Sequence, residues 1–185
     1  MDDAQEATWV REVLDFWFGE VGVSRWFVKS ADLDGAIRQR FLPLYERLVA
    51  GEFQEFTSPR AMLAAIVALD QFPRNMFRDS PRAFAGDAMA RHLAREAVAR
   101  GFDAGLRGEE RLFLYLPFEH SEDLEDQALS CKLIGGIGND YWTKYAQAHK
   151  AIIDRFGRFP HRNAALGRSS TREELELLKD PMGSF

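Results

Sequence analysis

The chain has 185 residues, of which 46% are apolar and 29% are charged, a composition typical of a soluble globular domain. A formal net charge of −5 argues against a general nucleic-acid-binding protein, and the longest apolar run, residues 61–69, is too short to span a bilayer. A single cysteine, Cys131, excludes an intrachain disulfide, so we expect a cytoplasmic protein with no nucleic-acid or membrane partner and an oligomeric state that the composition leaves open.

The first two predicted helices each carry an apolar stripe at helical spacing. The first has Thr8 as its N-cap, Gly19 as its end, and a stripe of Trp9, Val13, Phe16 and Trp17. After a short turn at residues 25–27, the second helix runs to Gly51 with a stripe of Leu33, Ile37, Phe41, Leu44 and Leu48. We expect Pro43 to kink or divide this second helix, because proline lacks the N–H that a helix interior needs.

The third predicted helix is apolar on nearly all sides, which predicts a central position in the fold. Ser58 is its expected N-cap and Pro59 its first residue. We expect Pro73 to interrupt it. A fourth helix then runs from residue 87 to Gly101.

The C-terminal half continues the helical pattern. One short helix is expected to stop near Pro117, and the next to begin at Ser121 with acidic residues in its first turn. A longer helix ends at Gly157, and Thr171 with Glu174 predicts a capping box for the last one.

No segment alternates in the manner of a strand, and the connections between helices are short. We therefore predict an all-α fold of about eight to ten helices, in one domain over residues 1–185. Residues 1–7 and 180–185 are expected to be loosely held termini.

Several unusual sequence motifs occur in this chain in the same order as in one bacterial family. They are VLDFWFGE, RWF, LDQFPRNMFR, AFAGDAMAR, LPFEHSEDLEDQ, FGRFPHRNAALGR and ST ahead of EE. Through them the chain resembles, from about residue 13 to residue 178, the family called domain of unknown function 924. The resemblance implies an all-helical, tetratricopeptide-like superhelical array and implies no activity.

Two similar motifs, at residues 72–75 and 159–163, each have arginine and asparagine after a Phe-Pro pair, and we call them the Phe-Pro phrases. We interpret both as helix-ending devices and predict that the two copies face each other across one groove. In the first copy, Asp70 lies on an apolar helix, and a buried carboxylate needs a partner, which Arg74 supplies at a spacing of four residues. This pair either fixes the helix end to the following loop or lines a cleft together with Asn75.

The word FEHSEDLED places Glu119, His120 and Glu122 behind an aromatic-rich helix. A histidine beside a carboxylate is typical of a general base held in one tautomer, and equally of a buried histidine that the carboxylate satisfies. The candidate acid–base residues are therefore His120, Glu122 and His161.

The acidic segment FEHSEDLED and the arginine-containing segments around the two Phe-Pro pairs have opposite charge. We expect Glu119, Glu122 and Asp123 to meet a set of arginines, namely Arg74, Arg78, Arg155, Arg158 and Arg162. Complete pairing would give a structural ion network that adds little net stability. A surplus of arginines would give an anion site, because guanidinium forks bind phosphate or carboxylate at two points.

Metal and cofactor chemistry have weak support. The four histidines lack the close spacing of metal-ligand motifs, so a site made of His120, Glu122, His149 and His161 would need the fold to gather them. The GGIG at residues 135–138 lacks the strand and lysine of a phosphate loop. We expect no metal and no cofactor.

The function favoured by the sequence is binding of a small anionic ligand or a peptide carboxylate in a polar pocket of a helical array. The expected lining residues are Asp70, Arg74, Asn75, Glu119, His120, Glu122, Arg155, Arg158, His161, Arg162 and Asn163. The alternatives are a protein–protein interaction module with a helical groove, an acid–base enzyme at the same pocket, and a purely structural network.

Overall fold

The structure, a computed structural model, describes residues 7–53 and 56–180. These residues form eight α-helices and contain no strand, which confirms the all-α prediction. The predicted loose termini fall mostly on residues 1–6 and 181–185, which lie outside the described residues. The chain divides into two compact units. The N-terminal unit is Met1–Arg78 with Arg82–Leu106, and the C-terminal unit is Asp79–Pro81 with Arg107–Phe185.

The N-terminal unit contains four α-helices. They are α1 (Thr8–Leu14), α2 (Ala31–Val49), α3 (Pro59–Met76) and α4 (Asp87–Ala99). A π-helix, Asp15–Val21, continues α1 without a break, and a short 3₁₀ helix, Pro81–Phe84, precedes α4 along the chain.

Helix α3 is the centre of the N-terminal unit, as its all-round apolar sequence predicts. Its start follows the expected pattern, since the Ser58 side chain accepts a hydrogen bond from the Ala61 N–H and Pro59 is the first helical residue. The ring of Phe72 is fully buried against three aromatic rings, those of Phe16, Trp17 and Phe41. Even so, none of the helices in the described part of the chain has both the length and the hydrophobicity that crossing a bilayer requires.

The expectation that Pro73 interrupts its helix is wrong, and Pro43 does not divide α2. The helix that contains Pro117 ends at Glu119, close to the proline as expected. Pro43, Pro73 and Pro117 each lie inside a continuous helix. Pro73 and Pro117 occupy the last turn of α3 and of the helix that ends at Glu119, and Pro43 is exposed. A proline removes one N–H bond from the ladder, and the burial of the flanking residues outweighs that local loss.

Pro73 also leaves the Leu69 carbonyl without its usual helical N–H donor. Gly86, the residue before α4, packs directly against this carbonyl, and a Cβ atom at position 86 would overlap the carbonyl oxygen. The absence of a side chain at Gly86 therefore permits the start of α4 to approach the backbone of α3.

The first helix differs from its prediction at both ends. Its N-cap is Ala7, with Thr8 as the first helical residue, and Gly19 does not end it. The helix widens into the π-helix and ends at Gly22, whose φ of 67° suits a glycine. A glycine inside a helix costs only about 1 kcal/mol, which the burial of Phe16 and Trp17 on the same helix offsets.

The C-terminal unit contains the other four α-helices. They are α5 (Gly108–Glu119), α6 (Leu124–Gly135), α7 (Asp140–Phe156) and α8 (Arg172–Leu177), with a 3₁₀ turn at Pro160–Arg162. Gly157 ends α7 in the left-handed conformation, and Thr171 with Glu174 forms the capping box of α8, both as predicted.

The start of α6 differs from its prediction. Asp123 is the N-cap, and its Oδ1 accepts hydrogen bonds from the backbone N–H groups of Glu125 and Asp126. The predicted cap, Ser121, is buried and donates instead to Asp126 Oδ2 over 2.7 Å. An aspartate directly before the helix competes successfully with a serine two residues earlier, because its charged oxygen also interacts favourably with the helix dipole.

Candidate functional site

In the N-terminal unit, the polar residues around Pro73 form a closed ion-pair network. Arg74 binds both carboxylate oxygens of Asp87 over 2.8 and 3.0 Å, and its Nη1 lies 3.2 Å from Asp70 Oδ1. Gln71 donates to the other oxygen of Asp70 over 2.6 Å. Burial alone would lower the pKa of Arg74, but the two carboxylates raise it overall. Arg74 thus joins the end of α3 to the first residue of α4.

Asp34 on α2 binds the next two polar side chains along the chain, those of Asn75 and Arg78. Asn75 donates to its Oδ1 over 2.8 Å, and Arg78 donates to both of its carboxylate oxygens. Burial raises the pKa of Asp34, but the hydrogen bonds from Arg78 and Asn75 lower it overall. The phrase therefore links α3 to α2 as well as to α4.

In the C-terminal unit, two arginines form bidentate pairs with carboxylates. Arg158 donates to both oxygens of Glu174 over 2.7 and 2.9 Å, and Arg168 donates to both oxygens of Glu122 over 2.8 and 2.9 Å. Glu122 also accepts the backbone N–H of Phe159 over 2.8 Å. Burial raises the pKa of Glu122, whereas these hydrogen bonds lower it overall.

Asn163 connects the two pairs. Its Oδ1 accepts from Arg168 Nε over 2.9 Å, and its Nδ2 donates to Ser170 Oγ and Glu174 Oε2 over 3.0 and 3.3 Å. This network folds residues 158–174 into one fixed loop. Arg168 is not among the predicted site residues, and Glu174 is predicted only as part of a capping box.

The predicted pair of Arg74 with Asp70 is confirmed, whereas the acids predicted to meet Arg78 and Arg158 are wrong. Glu122 pairs with Arg168, and Asp123 caps α6. Arg74, Arg78 and Arg158 each bind an acid of their own unit that the sequence analysis did not assign to them, respectively Asp87, Asp34 and Glu174.

Arg155 lies apart from these networks on an exposed part of α7. Its Nη2 is 3.7 Å from Glu173, and it borders an open depression of about 610 Å³. The depression is lined by Arg155, Arg172, Glu173, Glu176, Leu177 and Asp180. Its lining mixes both charges, which gives it no clear preference for an anion.

A second arrangement in the C-terminal unit, which we call the histidine cluster, consists of His120, His149, His161 and Arg162. Three of its members contact the buried ring of Phe159, whose centroid lies 5.6 Å from that of His149 and 5.5 Å from that of His161. The Arg162 guanidinium carbon lies 4.6 Å from the same centroid, and the rings of His120 and His149 are 6.3 Å apart. Two imidazoles and one guanidinium thus lie against one phenyl ring, and a third imidazole adjoins His149.

His149 is the innermost member of the cluster, with only 5% of its surface exposed. Its Nδ1 lies 2.9 Å from the Tyr145 carbonyl oxygen and 3.2 Å from Oε1 of the buried Glu119. Burial, reinforced by the nearby His120, His161 and Arg162, lowers the pKa of His149 to about 3, although the Tyr145 carbonyl opposes this shift. The imidazole is therefore neutral at physiological pH, and its contact with Glu119 is not an ion pair.

Gln127 on α6 fixes the turn that carries Glu119 and His120. Its buried Nε2 donates to the carbonyl oxygens of Glu119 and Ser121 over 2.6 and 2.7 Å. The sequence analysis missed Gln127, because it lies in no recognisable motif. It considered His149 only as a metal ligand, although the position of His149 on the buried face of α7 was a usable signal.

Apart from Arg155, the predicted site residues thus fall into three groups. Glu119, His120, His161 and Arg162 lie in or beside the histidine cluster; Glu122, Arg158 and Asn163 lie in the ion-pair network of the same unit; and Asp70, Arg74 and Asn75 lie in the N-terminal unit. The shared groove between the two Phe-Pro phrases stays a prediction. Among residues 7–53 and 56–180, no group of three or more His, Cys, Asp or Glu side chains is arranged to hold a metal ion.

Comparison with known proteins places the chain in a family. No curated protein matches it. A solved structure, described as a protein of unknown function, ATU0120 from Agrobacterium tumefaciens, is 37% identical to it, with a TM-score of 0.87 over 92% of this chain and 96% of that one. The model of a family described as bacterial protein of unknown function (DUF924) matches residues 13–182. The chain therefore belongs to the DUF924 family, as its sequence words suggest.

Proposed function

We propose that the C-terminal unit binds a small anionic ligand, through a phosphate or carboxylate group, at the histidine cluster. One observation carries the proposal: the rings of His149 and His161 and the guanidinium carbon of Arg162 lie 5.6, 5.5 and 4.6 Å from the centroid of Phe159, and the ring of His120 lies 6.3 Å from that of His149. Three side chains that can be positively charged therefore converge on one neutral imidazole. An anion between them would be stabilised both by their charge and by their N–H donors.

The arginines of the two ion-pair networks are less suitable positions for an anion. Arg74, Arg78, Arg158 and Arg168 are each held by a carboxylate at two points. Such pairs fix the fold and already occupy the guanidinium fork that an incoming anion would need. The guanidinium of Arg162 lies over the ring of Phe159, beside the rings of His149 and His161, and can interact with this aromatic face.

The surrounding network gives each predicted residue a role in this proposal. Arg162, His161 and His120 would contact the anion. Glu122 and Asn163 would position the loop that carries His161 and Arg162, since Glu122 holds the N–H of Phe159 and Asn163 ends the 3₁₀ turn. Arg155 lies outside this site.

Thermal unfolding with added anions tests the proposal. Inorganic phosphate and acetate are compared with chloride at equal ionic strength, because a ligand that binds only the folded state raises its stability. A site occupied at about one hundred times its Kd would add about 2.7 kcal/mol. Arg162→Gln should abolish the effect, and the matched control Arg155→Gln, at the exposed depression, should retain it. Equal responses to all three anions in wild type would contradict the proposal.

A second candidate at the same cluster is acid–base catalysis, which the buried contact between Glu119 and His149 favours. A carboxyl group that orients a neutral imidazole is a common arrangement for a general base. The test is hydrolysis of simple phosphate and carboxylate esters. Activity should disappear in His149→Phe and persist in His92→Phe, since His92 lies on an exposed position of α4.

A further inference from the structure

The loop between the π-helix and α2, residues 22–29, presents three large apolar side chains to solvent. Val23, Phe27 and Val28 each have more than half of their surface exposed. A single exposed apolar residue is ordinary on a protein surface, but several close together are typical of a site that contacts another molecule or a membrane. We call residues 22–29 the apolar loop.

The buried side chain of Trp26 holds the apolar loop in place. Its indole Nε1 donates to the carbonyl oxygen of Trp17 over 2.7 Å, and its ring packs edge-on against that of Phe18, with the centroids 5.7 Å apart. Backbone hydrogen bonds within the loop complete its turns. Phe27 and Val28 are therefore exposed next to an anchored residue, and a loop that is already ordered loses little conformational freedom when it binds.

Positive charge flanks the exposed apolar side chains. Arg25 and Lys29 are both exposed, and the loop contains no acidic residue. Glu20 and Asp34, which lie on the two sides of the loop along the chain, are each bound by an arginine at two points, so their charge is balanced. Asp32 adds one exposed carboxylate in the first turn of α2. The loop itself thus carries two positive charges, the sign that an anionic surface attracts.

We propose that the apolar loop inserts its exposed side chains into an anionic lipid surface, with Arg25 and Lys29 at the level of the lipid headgroups. This inference is independent of the anion site proposed for the C-terminal unit. It replaces the expectation of no membrane partner, which rested on the length of the apolar runs in the sequence. A peripheral contact requires only a few apolar side chains and a matching charge, and no spanning segment.

The small size of the patch favours a lipid surface over a protein partner. A stable protein interface takes about 20–30 residues from each partner, and the apolar loop is far shorter than that. The net charge of −5 does not prevent the approach to an anionic surface. Salt screens charges that lie farther from the lipid than about 8 Å, so the charge of the loop itself decides the attraction.

Sedimentation with lipid vesicles tests the proposal on the full chain. The wild-type protein should bind vesicles of phosphatidylcholine and phosphatidylserine at least roughly tenfold more tightly than vesicles of phosphatidylcholine alone, because two basic side chains lie near the anionic headgroups. Raising the salt concentration from about 0.1 M to about 1 M should remove most of this difference, since the Debye length falls from about 10 Å to about 3 Å.

Phe27→Ser is the decisive variant, because the exposed ring contributes little to folding. It should bind the anionic vesicles roughly tenfold more weakly than the wild type does. The matched control is Leu124→Ser, at a residue of the C-terminal unit that is 57% exposed against 59% for Phe27, and it should bind as the wild type does. Arg25→Gln and Lys29→Gln should each lower the affinity roughly fivefold.

Fluorescence distinguishes insertion from adsorption by charge alone. Phe27→Trp adds an indole to the apolar loop, and the emission that it adds to that of the wild type should shift to shorter wavelength on anionic vesicles. Lipids with brominated acyl chains should quench this added emission. Leu124→Trp should show neither effect. Binding without quenching at position 27 would contradict insertion.

Three further outcomes would overturn the proposal: equal affinity for neutral and anionic vesicles, equal losses in Phe27→Ser and Leu124→Ser, and no binding to either kind of vesicle. If no vesicle is bound and the wild-type chain self-associates in sedimentation velocity while Phe27→Ser stays monomeric, the loop is an interface between copies of the chain instead. None of these outcomes bears on the anion site, because the thermal unfolding experiments contain no lipid.

Discussion

The two Phe-Pro phrases have nearly the same letters and different structures. Residues 72–75 complete the last turn of α3, whereas residues 159–163 form a 3₁₀ turn after Gly157 has ended α7. The preceding residues account for the difference. A long buried run leads into Pro73 and keeps the helix intact, and a left-handed glycine two residues before Phe159 has already turned the chain.

The surroundings of the two phenyl rings differ as well. Phe72 packs among the rings of Phe16, Trp17 and Phe41, whereas Phe159 packs among His149, His161 and Arg162. The first ring therefore lies among other aromatic rings, whereas the second belongs to an apolar cluster with Ile152 and Ile153 and also contacts groups that can bind or exchange protons. The same phrase serves stability in one unit and, in our proposal, recognition in the other.

Truncation of Phe72 should have the largest effect on stability. Phe72→Ala removes a fully buried ring and should lower the free energy of unfolding by about 3–5 kcal/mol, measured by urea denaturation. It should leave the affinity for phosphate per folded molecule unchanged. Phe27→Ala, at a ring that is 59% exposed, is the control and should change stability by no more than about 0.5 kcal/mol. A loss of phosphate binding in the folded Phe72 variant would break the comparison.

His149 should make the stability depend on pH in a range where carboxylates contribute little. The unfolded chain protonates this imidazole near pH 6.5, whereas the folded imidazole stays neutral until about pH 3. The unfolded state therefore binds the extra proton, and stability should fall by about 1.4 kcal/mol per pH unit as the pH decreases from about 6.5 towards 5.

In His149→Phe, the free energy of unfolding should no longer show this dependence on pH, whatever the stability of the variant at neutral pH. Urea denaturation at several pH values measures it, and His92→Phe should keep the wild-type slope. An unchanged slope in His149→Phe would mean that the imidazole is not held neutral, and the contrast between the two phenyl environments would weaken.

Glu174 should produce a smaller effect in a more acidic range. The hydrogen bond from Arg158, with help from Thr171, lowers the pKa of Glu174 from 4.5 to about 2. Its stabilising contribution is complete above pH 4.5 and is lost as the pH falls towards 2. Glu174→Gln should flatten the acid limb of the stability profile, and the matched Glu176→Gln, at an exposed carboxylate, should not. If Glu174→Gln and the wild-type protein lose stability equally at acidic pH, Glu174 does not stabilise the Phe-Pro phrase at residues 159–163.

The smallest effect is expected for replacing the arginines of the two phrases by lysine. Arg74→Lys loses the bidentate contact with Asp87 and should cost about 1 kcal/mol of stability, without change in phosphate affinity. Arg162→Lys should instead weaken phosphate binding. Denaturation and calorimetry on both variants measure this, and the opposite pattern would assign the anion site to the wrong phrase.

Local signals in the sequence predicted much of the fold. Ser58 with Pro59, Gly157, and Thr171 with Glu174 act within one helical turn, and each was recognised. Pro73 was misjudged because the local rule ignores how much apolar surface the whole of α3 buries. The length of a helix depends on tertiary packing as well as on its own residues.

The candidate site was less predictable, because its partners are distant in sequence. Arg158 finds Glu174 sixteen residues away, and Arg168 finds Glu122 forty-six residues away. Rules of helical spacing reach only about four residues. The sequence could therefore identify the charged phrases but not which arginine each carboxylate would hold, and His149 enters the site only because α7 buries the face that carries it.

The close approach at Gly86 affects the ion pair that the next residue makes with Arg74. Asp87 follows it directly, and Arg74 reaches Asp87 only because the start of α4 lies so near the backbone of α3. A methyl group at position 86 would push the two helices apart and lengthen the contact between guanidinium and carboxylate. Gly86 carries no charge, yet it controls the ion pair between Asp87 and Arg74. Gly86→Ala should therefore have the same effect as removing the carboxylate of Asp87.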